Sequence, residues 1–403
     1  MKINNILVIN QPVGNRGDES AHRALMHSLN VALPDAHITV LAFQDFQNAI
    51  NEFVVENANN KYVNFIFRRN FRAYESAEAI IKHNMTRLGT ALHPVLRKLL
   101  PYYKKADVVV CAPGGICMGG FQNWRHMYLL QIARDLHKPI VYYSRSIGPF
   151  PVSSPLEQRF RKLSIEMLKG FAFLSLRDRK SKDLAESMGI SFTPSVDTAF
   201  LTHPNVSLPE DISKNLSSEY VVFVPNELTW HFAFKSLSKD VIDDLYLYIM
   251  RELRKTYPTA QIVMLPQLCS LGSKGDYRYF QTLKQKCEDK NIYIMSDTYS
   301  SDVQQTIISH AKMVVGARYH SVVFAINNEV PFVALSYEHK IQGLLEDLSL
   351  TGQMVDITAG LDNAKAEFNH ALQACLNQKP DRQLAHKMAS DCFEEMLNRI
   401  KNL

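Results

Sequence analysis

Residues 313–326 read MVVGARYHSVVFAI, a short apolar run that ends in glycine and leads into a second apolar run with helical spacing. Met313–Val315 has the length and composition of a parallel strand that is buried on both faces. Gly316 ends this run, and from Val322 the apolar positions continue as the buried side of a helix. A strand that stops at a glycine and leads into a helix predicts an α/β fold, in which this edge of the sheet binds anions.

Arg318 and His320 lie at the predicted turn of this unit, and Lys340 follows twenty residues later. An arginine suits the oxygens of a carboxylate or phosphate, and a histidine gives or takes a proton near neutral pH. The pair therefore indicates a site for a small, acidic, phosphorylated substrate. The alternative is structural, with an arginine that caps a carbonyl and a histidine whose hydrogen bonds are satisfied in the core.

The alternation of strand and helix repeats along the chain, and longer helical segments separate the short apolar runs. These runs predict strands at Ile6–Ile9, Thr39–Phe43, Val108–Ala112, Ile140–Tyr143, Phe171–Leu176, Val221–Val224, Ile262–Leu265, Ile292–Ile294, Met313–Val315 and Phe332–Leu335. Because the two halves carry arrays of similar size, we predict two Rossmann-like domains that face each other across a cleft.

A length of 403 residues also favours two domains over one. We place the first domain at residues 1–203 and the second at 204–380, with a proline-containing linker in residues 202–215. Residues 381–403 predict a terminal amphipathic helix that packs back on the first domain.

Composition limits the classes of function. The chain is 46% hydrophobic and 21% charged, and its net charge of +5 is too small to indicate a nucleic-acid partner. The six cysteines form no CxxC pair and the histidines show no metal-ligand spacing, so we expect no metal site. We find no secretory or membrane-spanning pattern and expect a cytoplasmic protein.

The loop after the first predicted strand contains Asn15, Gly17 and Asp18 and leads into a helix. Such a loop can hold an anion or the backbone of a sugar. It is neither GxGxxG nor a P-loop, so nicotinamide or ATP binding has little support. Asp18 either caps the helix or acts as a base toward a hydroxyl.

Three further turns follow predicted strands of the first domain. The glycine-rich turn with Gly114 and Gly115 lets a ligand or the other domain approach the backbone. Arg145 and Arg177 each follow a strand and are therefore expected at its carboxyl edge, on the side of the cleft.

Residues 61–105 depart from this pattern, because they hold ten basic side chains and only two acidic ones, with aromatic residues interleaved. One interpretation is a flap that contacts a phosphorylated substrate or an anionic membrane surface. The other is a solvated helical insertion, since runs of charge usually form ordinary surface.

Taken in order, these motifs resemble the polysaccharide pyruvyl transferase family. The motifs are Asn15-x-Gly17-Asp18, Gly114-Gly115, Gly148-Pro149, Arg177-Asp178-x-x-Ser181, Asp197-x-Ala199-Phe200, Arg318-x-His320 and Lys340. The resemblance extends from about Gly14 to Asp347, whereas residues 61–105 and 225–231 match no pattern of the family.

The resemblance implies a two-domain fold like that of the GT-B glycosyltransferases. It also implies transfer of pyruvate from phosphoenolpyruvate to a sugar of a cell-surface polysaccharide or its lipid-linked precursor, as a ketal, with release of phosphate and without a cofactor. In this reaction His320 is the acid that protonates the methylene carbon of the donor, and Asp18 is the base near the sugar hydroxyl. Arg318, Arg177 and Lys340 hold the donor and offset charge on the departing phosphate. The other expected substrate-binding residues are Asn15, Gly17, Gly114, Gly115 and Arg145.

Two alternatives stay open. In a nucleotide-sugar glycosyltransferase of the same architecture, Arg318 and Lys340 would hold a diphosphate. In a non-catalytic binding module, residues 61–105 would contact a membrane. For the transferase, the expected partners are phosphoenolpyruvate and a glycan or lipid-linked oligosaccharide, with peripheral membrane contact through residues 61–105 and no nucleic acid.

Overall fold

The computed structural model describes residues 2–42, 53–64, 71–119, 122–231, 233–234, 236, 238–269, 275–337 and 339–403, apart from the side chains of residues 64, 71, 72 and 74. The chain forms two compact units. Unit 1 comprises residues 1–13, 21–201 and 387–403, and unit 2 comprises residues 14–20 and 202–386. The loop of the Asn15 motif therefore belongs to unit 2, and the domain boundary given above stays a prediction.

Unit 1 contains a parallel sheet. Its described strands are β1 (Asn5–Ile9), β2 (His37–Ala42), β3 (Asn60–Asn64), β4 (Val108–Cys111), β5 (Gly114–Gly119), β6 (Ile140–Gly148), β7 (Phe173–Leu176) and β8 (Thr193–Pro194). They run in the order β3-β2-β1-β4-β6-β7-β8 with β5 beside β6, and all described pairs are parallel.

Helices cover both faces of this sheet. They are α1 (Arg16–Ala32), α2 (Phe71–Lys82), α3 (Thr86–Leu92), α4 (Leu100–Lys105), α5 (Trp124–Asp135), α6 (Pro155–Gly170) and α7 (Arg179–Ser187). The first five residues of α1, 16–20, belong to unit 2. Successive side chains of β1 point to opposite faces: Ile6 joins one buried cluster and Leu7 joins another. The Leu7 cluster includes Met127 of α5 and Phe160 of α6. Burial of both faces explains why the strands are nearly continuous apolar runs.

Unit 2 contains a second parallel sheet. Its described strands are β9 (Tyr220–Val224), β10 (Gln261–Met264), β11 (Ile292–Ile294), β12 (Val314–Gly316), β13 (Phe332–Ser336) and β14 (Met354–Asp356). Its helices are α8 (Glu210–Asn215), α9 (Lys239–Thr256), α10 (Asp276–Lys286), α11 (Ser301–Ser309), α12 (Tyr319–Asn327), α13 (His339–Asp347) and α14 (Leu361–Cys375). The strand order is β11-β10-β9-β12-β13-β14, the order of dinucleotide-binding folds, and it reverses between β9 and β12.

The C-terminal helix α15 (Gln383–Lys401) ends the chain. Phe393, Met396 and Ile400 are buried in the same cluster as Ile6, Leu25 and Leu29 of unit 1. The prediction that this helix packs back on the first half of the chain is therefore confirmed.

The predicted fold class is confirmed, and each of the ten predicted strands matches a strand of the two sheets, although Phe43 lies outside the described residues. Two expectations were wrong in detail. The glycine-rich turn at Gly114-Gly115 is the start of β5, which pairs with β6. The turn expected to carry Arg145 is part of β6, which continues to Gly148. The linker at residues 202–215 stays a prediction, and its last six residues form α8. Part of the basic segment, residues 65–70, lies outside the described residues.

Among the described helices we find none whose length and hydropathy would allow it to cross a bilayer. Within the described ranges, no group of three or more histidine, cysteine, aspartate or glutamate side chains could hold a metal ion.

Candidate functional site

The candidate site lies at the carboxyl edge of the unit 2 sheet, where the strand order reverses. Arg318 precedes α12 as its N-cap residue, in extended conformation, and His320 is the second residue of the helix. The turn from β12 into α12 is tight because a Cβ on Gly316 would lie 2.0 Å from Oγ of Ser321. That hydroxyl donates a 2.5 Å hydrogen bond to the Arg318 carbonyl oxygen, which fixes the backbone that carries both side chains.

Asp276 orients the Arg318 side chain. The Nη2 group of Arg318 donates to one carboxylate oxygen of Asp276. The other oxygen accepts bonds of 3.1 Å and 2.9 Å from the backbone N–H groups of Gln267 and Leu268. Asp276 is buried, so its carboxylate holds the guanidinium from one side and fixes the direction of the fork.

The charge of Arg318 is kept despite burial. Burial disfavours the charged guanidinium, but the Asp276 carboxylate and the nearby Tyr337 hydroxyl outweigh it, and the pKa of Arg318 is raised above its ordinary value. Its side chain is 15% exposed. Its Nε is buried and has no hydrogen-bond partner within the part of the chain that the structure describes. A buried donor of this kind is costly unless an acceptor reaches it, as an anionic substrate would.

The imidazole of His320 packs against the first turn of α1. A Cβ built on Gly17 would lie 1.8 Å from Nδ1 of His320, so only a glycine leaves room for the ring at this position. His320 is 7% exposed, and the ring of Tyr319 meets it edge-on with centroids 5.0 Å apart. The two motifs that sequence separates by about 300 residues thus form one site in unit 2.

A buried ion pair anchors the loop that carries Gly17. Nη1 of Arg16 lies 2.7 Å from a carboxylate oxygen of Glu19, and both side chains are buried. The second Glu19 oxygen accepts bonds from the backbone N–H and the hydroxyl of Ser301, at 3.0 Å and 3.1 Å. The Arg16 backbone N–H donates to the Gln267 carbonyl oxygen at 2.8 Å. These bonds hold residues 14–20 against the strand ends of unit 2.

Asn15 has a structural function in this loop. Its side-chain oxygen accepts a 2.8 Å bond from the Gly17 backbone N–H. Asp18 follows Gly17 in the first turn of α1 and is half-buried, next to the residue that touches His320. Lys340 is half-buried in the first turn of α13, at the end of the neighbouring strand β13. Five of the predicted residues, Gly17, Asp18, Arg318, His320 and Lys340, therefore lie at the same edge of one sheet.

Aromatic side chains extend this edge of unit 2. The Tyr337 hydroxyl accepts a 2.8 Å bond from Nδ2 of Asn226, which follows β9. The ring of Trp230 meets Tyr337 edge-on at 6.2 Å and is 57% exposed. Since Tyr337 also acts on the charge of Arg318, the exposed indole belongs to the surroundings of the site. Aromatic walls with a few fixed polar groups are typical of small-molecule sites.

The remaining predicted residues lie in unit 1. Arg145 is fully buried, and its guanidinium donates to the carbonyl oxygens of Asn10, Ala112 and Gly115 and to the Cys117 sulfur. The register of β6 against β7 shifts between Tyr142 and this residue. Arg145 thus organises the strand ends of β1 and β4 around the switch point of this sheet.

The position of the Arg145 side chain requires a glycine at residue 114. A Cβ there would lie 3.0 Å from Cγ of Pro12 and 3.3 Å from Nη1 of Arg145, whereas a Cβ on Gly115 would meet nothing within 4 Å. Gly114 therefore permits a close approach of two chain segments, whereas Gly115 has space on its side-chain side.

Arg177 forms a buried ion pair with Asp197, and its Nε donates to Oγ of Ser146 at 3.4 Å. The other Asp197 oxygen accepts a 3.0 Å bond from the Ala199 backbone N–H. Two of the sequence motifs, Arg177-Asp178 and Asp197-x-Ala199, are thus partners in one hydrogen-bond network of unit 1. Breaking one member of such a pair costs more than the pair itself contributes.

Sequence reasoning missed Asp276, Glu19 and Asn226. Asp276 is 42 residues before its partner Arg318 and belongs to no motif, so only the fold brings them together. Glu19 stands directly after the Asn15-x-Gly17-Asp18 motif, and an acidic residue in the first turn of a helix has an ordinary explanation in the helix dipole.

Solved structures share this fold. The chain is similar to a putative UDP-N-acetylglucosamine 2-epimerase from Listeria monocytogenes, with 12% identity and a TM-score of 0.60 over 100% of this chain and 96% of that one. It is also similar to the UDP-GlcNAc 2-epimerase from Neisseria meningitidis, with 13% identity and a TM-score of 0.60 over 98% and 100%. At these identities the likeness shows the fold alone, which is the GT-B class.

The family follows from the sequence. The polysaccharide pyruvyl transferase family matches residues 15–339, which include every site residue of unit 2 except Lys340. The chain belongs to this family. It is also 23% identical to the amylovoran biosynthesis protein AmsJ of Erwinia amylovora, over 98% of this chain and 100% of that protein.

Proposed function

We propose that this protein transfers pyruvate from phosphoenolpyruvate to two hydroxyls of a sugar, forming a ketal and releasing phosphate. The observation that carries the proposal is the packing of His320 against Gly17, beside the oriented guanidinium of Arg318. It joins a proton donor to an anion-binding group at the switch point of a dinucleotide-type sheet. Family membership and the similarity to AmsJ support polysaccharide assembly as the context.

Arg318 and Lys340 bind the donor in this proposal. Phosphoenolpyruvate carries a carboxylate and a phosphate on three carbons, so it needs several cationic donors in fixed positions. Asp276 holds one Nη group of Arg318, and the buried Nε has no partner within the described residues. The half-buried Lys340 at the next strand end supplies a second cation. Both are also placed to offset charge on the departing phosphate.

His320 and Asp18 carry out the proton transfers. His320 gives a proton to the methylene carbon, which becomes a methyl group and leaves the central carbon electrophilic. A sugar hydroxyl oxygen then bonds to that carbon as Asp18 takes its proton. The C–O bond to phosphate breaks, and the departing phosphate takes the proton from Asp18. The second hydroxyl gives its proton back to His320 as its oxygen closes the ketal. The enclosed position of His320, with 7% exposure, keeps the ring in one orientation.

In this proposal the predicted site residues of unit 1 do not contact the donor but position the backbone at the ends of the strands. Arg145 and Gly114 shape the strand ends of β1 and β4, and the Arg177–Asp197 pair shapes those of β6 and β7. We propose that these strand ends, with Gly115, receive the acceptor, a glycan or its lipid-linked precursor at the cytoplasmic face of a membrane. The acceptor sugar is selected by these strand ends and the loops that follow them.

Donor binding tests this proposal against the nucleotide-sugar alternative. Calorimetry compares the affinities for phosphoenolpyruvate and for UDP-sugars in the wild type and in Arg318→Lys. We expect phosphoenolpyruvate to bind, and the lysine variant to bind it more weakly because the planar fork is lost. If the protein binds a UDP-sugar tightly and does not bind phosphoenolpyruvate, the proposed reaction is wrong and the glycosyltransferase alternative is favoured.

A further inference from the structure

The short helix α3 of unit 1 buries its polar side chains and exposes its large apolar ones. Its two threonines, Thr86 and Thr90, are buried, and the Thr90 hydroxyl lies 2.8 Å from the Tyr128 hydroxyl. Leu88 and Leu92 are 57% and 72% exposed. Because residues four apart share one face of a helix, the two leucines form a single outward ridge. Met85, the N-cap residue, is 50% exposed three positions before Leu88 and extends the same ridge.

Basic side chains accompany this ridge along the chain, and this stretch of sequence has no acidic residue of its own. Residues 83–105 contain no aspartate or glutamate. Their five lysines and arginines are all exposed, and within the described ranges none of them forms an ion pair. These cations are Arg87, Arg97, Lys98, Lys104 and Lys105. Arg97 and Lys98 lie on the 3₁₀ turn Leu96–Leu99, which packs directly against α3.

We infer that this surface, the α3 ridge with its five cations, docks unit 1 on a bilayer that carries anionic lipid. Such a bilayer offers in one place both an apolar layer for the leucines and negative charge for the cations. The inference is independent of the reaction proposed above, because none of these residues belongs to the candidate site.

A second copy of the chain fits this surface poorly. Two copies would bring five unpaired cations against five others, which is repulsive. The ridge also has three large apolar side chains, two on a helix of seven residues and one at its N-cap, whereas a stable dimer buries roughly 800 Å² on each partner. Isolated apolar side chains are common on surfaces, but a helix that exposes its leucines and buries its threonines is not.

The test is co-sedimentation of the full chain with vesicles of phosphatidylglycerol and phosphatidylcholine, and with vesicles of phosphatidylcholine alone. We expect binding to the anionic vesicles only, weakened by salt. Arg97→Glu/Lys98→Glu should weaken it at least roughly 30-fold, because each cation near an anionic surface contributes about a fivefold gain in affinity. Leu88→Glu/Leu92→Glu should weaken it at least tenfold, an order-of-magnitude expectation from two lost apolar contacts.

Val31→Glu is the matched control, since Val31 is 69% exposed on α1 and places the same substitution elsewhere on unit 1. It should bind vesicles as the wild type does. Turnover of phosphoenolpyruvate with a short soluble glycoside is measured in parallel. We expect each variant to have the turnover rate of the wild type. Loss of vesicle binding with turnover intact supports the inference even if the acceptor differs from our proposal.

Three results would overturn the inference. The wild type could fail to bind anionic vesicles, or the leucine variant could bind as well as the wild type. Light scattering could instead show a wild-type dimer that Leu88→Glu/Leu92→Glu dissociates, which would assign the ridge to a second copy.

Discussion

Replacement of Gly17 by alanine tests the construction of the site, because it adds one methyl group directly against His320. The new Cβ would lie 1.8 Å from Nδ1, and ordinary contact begins near 3.4 Å, so the imidazole has to retreat by about 1.6 Å. The backbone itself accepts alanine, since Gly17 lies in the first turn of α1 and its φ is not in the left-handed region.

Two opposing effects set the change in stability. Overpacking in a filled interior costs about 1–3 kcal/mol, and alanine in place of glycine in a helix restores about 1 kcal/mol. The free energy of unfolding should therefore fall by roughly 0–2 kcal/mol, which leaves the protein folded. A misplacement of about 1 Å in a reacting group costs on the order of 100-fold in rate, so we expect kcat to fall at least that far.

The assay combines urea unfolding with phosphate release from phosphoenolpyruvate. Gly352→Ala is the control, because it lies in unit 2, and a Cβ there meets nothing within 4 Å. Combining Gly17→Ala with His320→Ala should remove the clash, so the glycine substitution should destabilise the His320→Ala protein less than the wild type, a coupling typical of residues in contact. A Gly17→Ala protein with wild-type kcat and no coupling to position 320 would refute the packing we describe.

Three further predictions concern single side chains. His320→Ala should lower kcat by roughly 10²–10⁴-fold while calorimetry still detects phosphoenolpyruvate binding, and near-normal turnover would exclude the acid role. Asp276→Asn should raise KM for phosphoenolpyruvate more than it lowers kcat, because Arg318 loses the charge that orients it; an unchanged KM would mean that Asp276 serves the turn alone. His22→Gln should make the protein more acid-resistant. Burial and the nearby Arg23 lower the pKa of His22 to about 3, so below pH 6.5 the unfolded chain takes up a proton that the folded chain does not. The wild type should therefore lose about 2 kcal/mol between pH 7 and pH 5 that the variant keeps, and equal losses in urea titrations would contradict this assignment.

Apolar strands could be predicted because burial on both faces leaves a plain signal in the sequence. Met313–Val315 and Ile6–Ile9 are examples, and both are central strands. Strand β3 gives no such signal, since Asn60–Asn64 is an edge strand that mixes polar and apolar residues, with Lys61 exposed. Strand β5 was predicted as a turn because its glycines are rare inside strands, and its pairing with β6 depends on a register shift that no local pattern indicates.

The residues of the candidate site that lie close together in sequence could be predicted, whereas the contacts between distant segments could not. Arg318 and His320 stand two residues apart after a strand, so their proximity is local. Their contacts with Asp276 and Gly17 arise only when distant segments of unit 2 fold together. For Arg145, a position at the carboxyl edge was predicted, but its hydrogen bonds to three carbonyl oxygens join segments that are distant in sequence, and no local pattern indicates them.

The most direct test of the proposed reaction is the structure of the product. The protein is incubated with phosphoenolpyruvate that carries ¹³C at its central carbon and with a panel of aryl glycosides of galactose, glucose, mannose and their N-acetyl forms. We expect one or more sugars to gain a pyruvate whose labelled carbon has become a ketal carbon bonded to two sugar oxygens, with one phosphate released per ketal and with ketal formation slowed at least roughly 100-fold in His320→Ala. If no sugar of the panel gains labelled carbon, while a UDP-sugar added in a parallel incubation is consumed to form an unlabelled product, the account is contradicted.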